Sequence, residues 1–453
     1  MEDIDENYRE ELEELLENKN YKELKEKMES MNEADIASVM GEMKDEDSLK
    51  LFRILPKDMA ADVFANLELD DQQYIISSMS DKEASIIIDN LMADDATDLL
   101  EEMPANVVKK ILANASPETR RDINHLLRYP EDSAGSIMTV EFVDLREDMT
   151  VADAIERIRK IGLDKETVNI CYVVDNKRIL KGTVALRYLL IKKPDEKIGD
   201  IMNINVISIN TMMDQEEAAR AIQKYDFTAM PVVDNENRMV GIITVDDVVD
   251  ILQEEATEDI EKMAAILPTD KPYFKMTTFE TYKKRMPWLL LLMISATFTG
   301  AIIKNYEAAL ASYVILTAYI PMLMDTGGNA GSQSSVSIIR GLSLGEIEFK
   351  DIFKVMWKEV RVSVFCGITL ASANLIKMLF FDRLDLRVAL IVAGTLIIVV
   401  IIAKLIGCSL PLIAEKIGFD PAVMASPLIT TIVDAISLTV YFAIATTVLN
   451  LAT

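Results

Sequence analysis

Three textures of apolar and polar positions follow one another along the chain. From Met31 an apolar residue recurs every 12 positions, at Met31, Met43, Leu55, Leu67, Met79, Leu91, Met103, Ala115 and Leu127, mostly just before a Pro, Asp, Asn or Ser. Each unit reads as a short amphipathic helix with a cap at its start, as in Ser80-Asp81-Lys82-Glu83 and Ser116-Pro117-Glu118-Thr119. Helices this short cannot bury a face alone, so the pattern predicts a stacked helical solenoid. From about Ile137 strands alternate with helices and the texture repeats. Ile137-Met138 returns as Ile201-Met202, and Tyr172-Val173-Val174-Asp175 returns as Pro231-Val232-Val233-Asp234. Gly182 and Gly241 keep the same 59-residue offset, so two copies of a βαββα-like unit are expected. Glu254 to Glu261 then opens a further acidic helix, which leads through Pro268 and Pro272 to apolar runs near 286–304, 311–324, 360–381, 387–414 and 421–450. These are long enough for five membrane-spanning helices, the second being short before its glycines.

Charge divides the chain at the same place. Residues 284–453 carry 13 Lys and Arg against 11 Asp and Glu, and the first 283 residues carry 34 against 63, a net of −29. Such an acidic block repels nucleic acid and anionic lipid and attracts cations, so no nucleic-acid partner is expected. His125 is the sole histidine and Cys171, Cys366 and Cys408 lie far apart. That removes zinc proteases, most triad hydrolases and any thiolate metal site, and with no phosphate loop an enzyme is not expected. The N-terminal stretch lacks the features of a signal peptide. The connection after the second apolar run holds Arg340, Lys350, Lys354, Lys358 and Arg361, whereas the first connection is free of basic residues after Lys304. This predicts a multi-pass protein of the cell membrane with a cytoplasmic N-terminus and an external C-terminus.

Two polar features interrupt the apolar runs. Asp434 is the lone charge between Pro421 and Thr453, and Ser426, Thr430 and Asp434 fall at successive i+4 steps, one polar stripe on an apolar helix. A carboxylate at that depth costs at least a few kcal/mol, so it faces a bundle interior or a water-filled path. Earlier, Gly327-Gly328-Asn329-Ala330-Gly331-Ser332-Gln333 ends the second run, which suggests backbone that approaches something closely or leaves its helix. Asn329, Gln333, Thr430, Thr431, backbone carbonyls near Gly327 and Gly328, and the carboxylate of Asp434 are all oxygen ligands, suited to a hard cation.

Two resemblances attach to these residues. The duplicated α/β segment resembles a tandem CBS pair, with Gly241-Ile242-Ile243-Thr244-Val245-Asp246-Asp247 in place of that family's strand-to-helix turn. The resemblance implies a weak nucleotide site, for ATP, from Thr244 and Asp246 with Tyr172, Arg187 and Phe227; the first copy departs from it at Ala185 and Tyr188. The run Pro321 to Gln333 together with Asp420-Pro421-Ala422, Pro427-Leu428, Thr431 and Asp434 resembles the MgtE family of magnesium channels, and the likeness extends over nearly the whole length. It implies an all-α acidic helical-repeat N domain (1–130), a CBS pair (131–256), a connecting helix (257–282) and a five-helix transmembrane pore domain (283–453). It further implies a homodimer in the lipid bilayer whose two copies of Asp434 line a pore for Mg²⁺. Cytosolic Mg²⁺ would close that pore by binding at Asp62, Asp94, Asp98, Asp214, Glu216, Asp226, Asp247, Asp250, Glu255, Glu258, Asp259 and Asp420.

Electrostatics supports such gating independently. Two carboxylates about 4 Å apart repel by roughly 4 kcal/mol at an effective dielectric near 20. A gate moves from mostly open to mostly closed on about 5.5 kcal/mol of differential binding, within reach of a few bridging ions. The other reading is a broader transporter, for Mn²⁺ or Co²⁺, regulated mainly by nucleotide at the CBS pair.

Overall fold

The computed structural model describes residues 2–449 apart from Asp270 and Ala425, and excludes the side chains of residues 2–7, Lys57, Asp58, Ala308 and Ser426. The chain divides into two compact units, residues 1–252 and 253–453.

The first unit begins with helices α1 (Glu2–Glu17), α2 (Tyr21–Met28), α3 (Glu33–Glu42), α4 (Asp45–Ile54), α5 (Lys57–Ala65), α6 (Leu69–Ser77), α7 (Asp81–Ile88), α8 (Ala93–Glu101), α9 (Ala105–Asn114) and α10 (Pro117–Leu126). From α3 onward the helices follow the 12-residue repeat. Each packs on its next neighbour but one (α3 on α5, α4 on α6, and so on to α8 on α10), so alternate helices share a core. The periodic residues sit at the joints: Met31, Met43, Leu55, Leu67, Met103 and Ala115 are buried there. Asn32, Ser80 and Ser116 accept from N–H groups of the first turns of α3, α7 and α10, and Ser80 with Glu83 closes a capping box.

Two three-stranded sheets follow. The first holds β1 (Phe142–Leu145), β2 (Thr167–Val174) and β3 (Leu180–Ala185); the second holds β4 (Ile209–Asn210), β5 (Ala229–Val233) and β6 (Met239–Thr244). In each, the first strand runs parallel to the second and the second antiparallel to the third. The 59-residue offset reappears in the register, with Val173 opposite Gly182 and Val232 opposite Gly241. The two repeated Ile-Met pairs have a shared purpose. A Cβ on Gly241 would lie 2.5 Å from the Thr139 carbonyl oxygen and 2.8 Å from the Met138 sulfur, and one on Gly182 would lie 2.7 Å from the Met202 sulfur. Each copy's glycine thus receives the other copy's methionine, which locks the two modules together. Helices α11 (Val151–Ile161), α12 (Leu186–Ile191), α13 (Ile198–Ile201) and α14 (Gln215–Tyr225) complete them. Helix α15 (Val245–Met263) starts directly after β6, nine residues before the acidic opening at Glu254 expected from sequence, and the division between units falls within it.

The second unit holds α16 (Thr278–Asn305), α17 (Glu307–Ser312), α18 (Ile320–Ser343), α19 (Ile352–Phe380), α20 (Leu386–Lys416) and α21 (Ser426–Leu449). Four of its helical segments, Thr278–Asn305, Phe349–Phe380, Leu386–Lys416 and Pro421–Leu449, are long and apolar enough to cross a membrane. Helix α18 is long enough but carries the glycines, serines and amides. Of the two expected alternatives for the glycine run, the structure shows close approach and not departure from the helix. Residues 320–343 form one continuous helix, preceded by α17 and a 3₁₀ turn at Val314–Tyr319, and the Gly327–Gln333 run never leaves it. Its backbone groups are satisfied within the helix, and its small residues serve close packing instead. Helix α18 packs on α20 and α21, α19 packs along α20 and touches α18, and α16 lies against α21. The tightest point is Gly407, where a Cβ would lie 2.1 Å from the carbonyl oxygen of Gly331.

Gly407→Ala should force α18 and α20 apart and destabilise the second unit by about 1–3 kcal/mol, read as a lower thermal midpoint in detergent. Gly394→Ala, in the same helix with no atom within 4 Å of the new methyl, is the control and should be neutral or mildly stabilising.

Candidate functional site

Helix α21 is apolar almost throughout, and the half-buried Asp434 stands on it one turn beyond Thr430. The hydroxyls of Thr430 and Thr431 both donate to the Pro427 carbonyl, at 2.9 and 3.0 Å. Their protons are therefore spoken for, and their oxygen lone pairs remain to face a cation. The side chain of Ser426, the first member of the expected stripe, lies outside the described residues.

Helix α18 lies against this face. A Cβ on Gly328 would meet Thr430 Cγ2 at 2.9 Å, one on Gly327 would meet Ser437 Oγ at 3.0 Å, and one on Gly331 would meet Ile429 Cγ2 at 2.8 Å. The glycines thus let α18 settle directly on the carboxylate-bearing helix. The opposite side of α18 is polar and exposed, with Asp325, Asn329, Gln333, Ser337 and Arg340 at steps of three or four. Gln333 accepts from Ser337 Oγ through its backbone carbonyl at 2.8 Å, leaving its side-chain amide available. Asp325 acts electrostatically on Asp434, so the two helices present a pair of acids. Its position one turn before Asn329 was the sequence signal for it.

At the foot of the second unit the end of α15 meets the membrane helices. Asp420 accepts from Lys262 Nζ at 2.7 Å and from the Ala422 N–H at 2.7 Å, so it both caps the turn before α21 and forms an ion pair. Lys262 also holds Glu258 at 2.6 Å. Asp259 accepts from Ser343 Oγ, on the last residue of α18, at 3.1 Å. Met263 packs on Ile339 of α18 and Ala422. Three of the expected acids, Glu258, Asp259 and Asp420, therefore gather where α15 touches α18 and the start of α21. The lysine among them was not foreseen.

In the first unit α8 is pressed against the α/β pair, Ala93 and Leu126 sharing a core with Met230, Ile243 and Val248. That contact buries Asp94, whose Oδ1 has no hydrogen-bond partner among the described residues. Burial, followed by the fields of Asp95, Asp247 and Glu141, holds the Asp94 carboxyl well above the usual range. The same causes push Asp95 to about 6 and Glu166, beside Asp246 and Asp247, to about 7. Asp247 is also raised by burial, although the hydroxyl of Thr244 donates to it at 2.6 Å. Asp95, Glu141 and Glu166 join this cluster only through the tertiary fold.

The remaining expected residues have local roles or open settings. Asp214 caps α14, accepting from Glu216 and Glu217 N–H groups at 3.0 and 3.4 Å, and Glu216 pairs with Arg220. Asp226 takes a left-handed backbone, φ +52°, at the end of α14. Asp62, Asp98 and Asp250 are exposed, and Glu255 is half-buried. Among the described residues no three acidic, histidine or cysteine side chains converge as a ready ligand set. Of the nucleotide candidates, Asp246 is exposed, Phe227 stacks on Tyr225 and Arg187 lies over Tyr188. Tyr172 is corrected: its ring is fully buried against Phe142, packed in the core rather than offered to a base.

Acidic cytosolic-type modules joined to an apolar helix bundle with an oxygen-lined polar face define a membrane transporter of cations. Family comparison agrees: a model described as a divalent cation transporter matches residues 320–444, the MgtE intracellular N domain matches 31–132, and CBS domains match 134–193 and 198–254. The chain is 40% identical over 396 residues to the magnesium transporter MgtE of Thermus thermophilus, covering 86% of this chain and 87% of that one. It is 34% identical over 397 residues to the magnesium transporter MgtE of Bacillus subtilis, covering 86% of each. A crystal structure of the soluble part of a magnesium transporter superposes with a TM-score of 0.52 at 32% identity, over 56% of this chain and 99% of that one. The cytosolic domain of the Mg²⁺ channel MgtE in complex with ATP gives 0.51 at 38% identity, over 53% and 98%. The chain belongs to the MgtE family.

The raised carboxyls give a pH signature. They hold protons more firmly folded than unfolded, so between their ordinary values near 4 and the folded values of about 6 and 7 the native state binds more protons. Stability therefore falls as pH rises through that window and levels off above it. Metal-free residues 1–252 should melt higher at about pH 5.5 than at about pH 7.5, and Asp95→Asn should flatten the slope. A slope untouched by Asp95→Asn contradicts the assignment.

Proposed function

We propose that this chain moves Mg²⁺ across the cell membrane and that internal Mg²⁺ bound to its acidic cytosolic part closes the path. The observation that carries the reading is Asp434, half-buried on apolar α21 with the glycine face of α18 laid against it. The relatives over most of the chain are named magnesium transporters, which supports transport rather than catalysis and favours Mg²⁺ over the broader Mn²⁺ or Co²⁺ reading. A carboxylate one turn from a threonine oxygen, on a bundle whose neighbouring helix also exposes the amides of Asn329 and Gln333, suits a hard ion that keeps much of its water.

The polar face of α18 is exposed in a single chain, yet a row of Asp325, Asn329, Gln333 and Ser337 at membrane depth has no place against lipid. A homodimer encloses it, with the path between two copies and Asp434 contributed by each. The basic connection after α18 supports an orientation with the N-terminus and CBS pair inside the cell and the C-terminus outside. In functional terms residues 1–130 and 131–256 act as sensor, 257–282 as connecting segment and 283–453 as pore. Internal Mg²⁺ would bind where carboxylates crowd, above all at Asp94 with Asp247, and relieve the repulsion that opposes closing. The acids Glu258, Asp259 and Asp420 at the end of α15 and before α21 pass the sensor state to α18 and α21. ATP is a second ligand of the CBS pair in this reading, held by Thr244 and Asp246; the relative solved with ATP supports it.

Asp434→Asn and Asp434→Ala in proteoliposomes should lower Mg²⁺ flux at least about tenfold while the protein stays folded and dimeric, a barrier change of about 1.4 kcal/mol or more. Native flux and selectivity in the alanine variant would remove Asp434 from the path. A chain lacking residues 1–130 should still conduct but lose most of its closure at millimolar internal Mg²⁺. Unchanged inhibition in that truncation would rule out the sensor mechanism.

A further inference from the structure

Lys404 lies on α20 between Ile401-Ile402-Ala403 and Leu405-Ile406, more than two turns from either end, and is 5% exposed. A buried ammonium inside a membrane helix is costly and needs a named partner. It has two. Lys404 Nζ donates to Ser334 Oγ of α18 at 3.2 Å, and Ser334 Oγ in turn donates to Glu359 Oε2 of α19 at 2.6 Å. The ammonium and that carboxylate oxygen are 3.6 Å apart, with side chains 6% and 13% exposed. One small network therefore joins three membrane helices.

Its placement is specific. Ser334 is three residues after Gly331 and Lys404 three before Gly407, so the network sits one turn from the point where the α18 and α20 backbones touch. The next residue, Ser335, donates to the Met424 carbonyl at 3.0 Å and ties the same turn of α18 to the approach to α21. Glu359 and Lys404 also border an open cleft of about 720 Å³ that is lined by Asn329, Ser332, Gln333 and Ser337. The glycine contact sets how closely α18 and α20 approach and which broad face of α18 is turned inward. A charged, directional contact on one edge fixes the finer rotation of that face.

Building on the transport reading above, we propose that Glu359, Ser334 and Lys404 are positioning residues: their network fixes the rotation of α18, and with it the presentation of Asn329 and Gln333 to the passing cation. The paired charges are opposite and adjacent, so the network adds orientation to the cleft without adding net charge.

The test is Mg²⁺ uptake by the full chain in proteoliposomes, with Ca²⁺ and Mn²⁺ as competitors, for Glu359→Gln, Lys404→Met and the exchange Glu359→Lys with Lys404→Glu. Each single variant should raise the apparent KM for Mg²⁺ severalfold and weaken selectivity in the same direction, with Vmax less affected; the exchange should restore both in part. Single variants that remain folded by size exclusion and melting, yet keep native KM and selectivity, would reduce the network to a structural tie and overturn the inference. So would opposite effects of the two single variants, uptake rising with Lys404→Met and falling with Glu359→Gln, because that is the mark of a direct field on the ion. Wild-type protein in the same assay separates the two levels: absence of Mg²⁺ uptake there removes the transport reading itself.

Discussion

Two backbones touch in the membrane part, α18 at Gly331 and α20 at Gly407, and the rest of the site depends on that contact. Side chains on either residue would separate the helices, and α18 could no longer lie on α21 with Gly327 and Gly328 against Ser437 and Thr430. A helix rich in serine and amides has no hydropathic reason to sit in a bilayer. It stays because its small face packs closely on α20 and α21. The glycines thus do two things through one physical cause: they hold the bundle together and they turn the polar row of Asp325, Asn329 and Gln333 to the side of α18 away from its neighbours.

The acidic part works by the opposite principle, keeping like charges in an arrangement that is poor without a cation. Asp94 is buried with an unpartnered oxygen, and Asp95, Glu141, Glu166, Asp246 and Asp247 surround it with the same sign. Protons relieve some of this, as the raised Asp95 and Glu166 carboxyls reflect, and a divalent ion would relieve more. In the second unit Lys262 supplies a built-in cation between Glu258 and Asp420. The two places therefore differ in kind: in one the like charges are left without a positive side chain, and in the other they are already bridged by one.

Much of this was legible in the residues, for reasons that can be named. The 12-residue repeat was visible because short helices must place an apolar residue at every joint. The duplication was visible down to strand register, because Gly182 and Gly241 each have to admit a methionine from the other copy. Asp434 stood out because no other charge shares its helix. What sequence could not give were contacts between distant segments: the burial of Asp94 by the CBS pair, Lys262 beside Asp420, and Lys404 with Glu359. The Gly327–Gln333 run was legible only as a choice between close packing and a broken helix, and tertiary packing decided it. Glycine and asparagine weaken an isolated helix, but a helix whose backbone is packed on two neighbours tolerates them, and α18 runs straight through.

The most direct test of the account is Mg²⁺ flux through the purified chain in liposomes as internal Mg²⁺ is raised at a constant inward driving force. The account predicts selective flux at low internal Mg²⁺ that falls steeply and reversibly as the internal ion reaches the millimolar range. Flux that ignores internal Mg²⁺, or an intact chain that passes no Mg²⁺ at all, would contradict it.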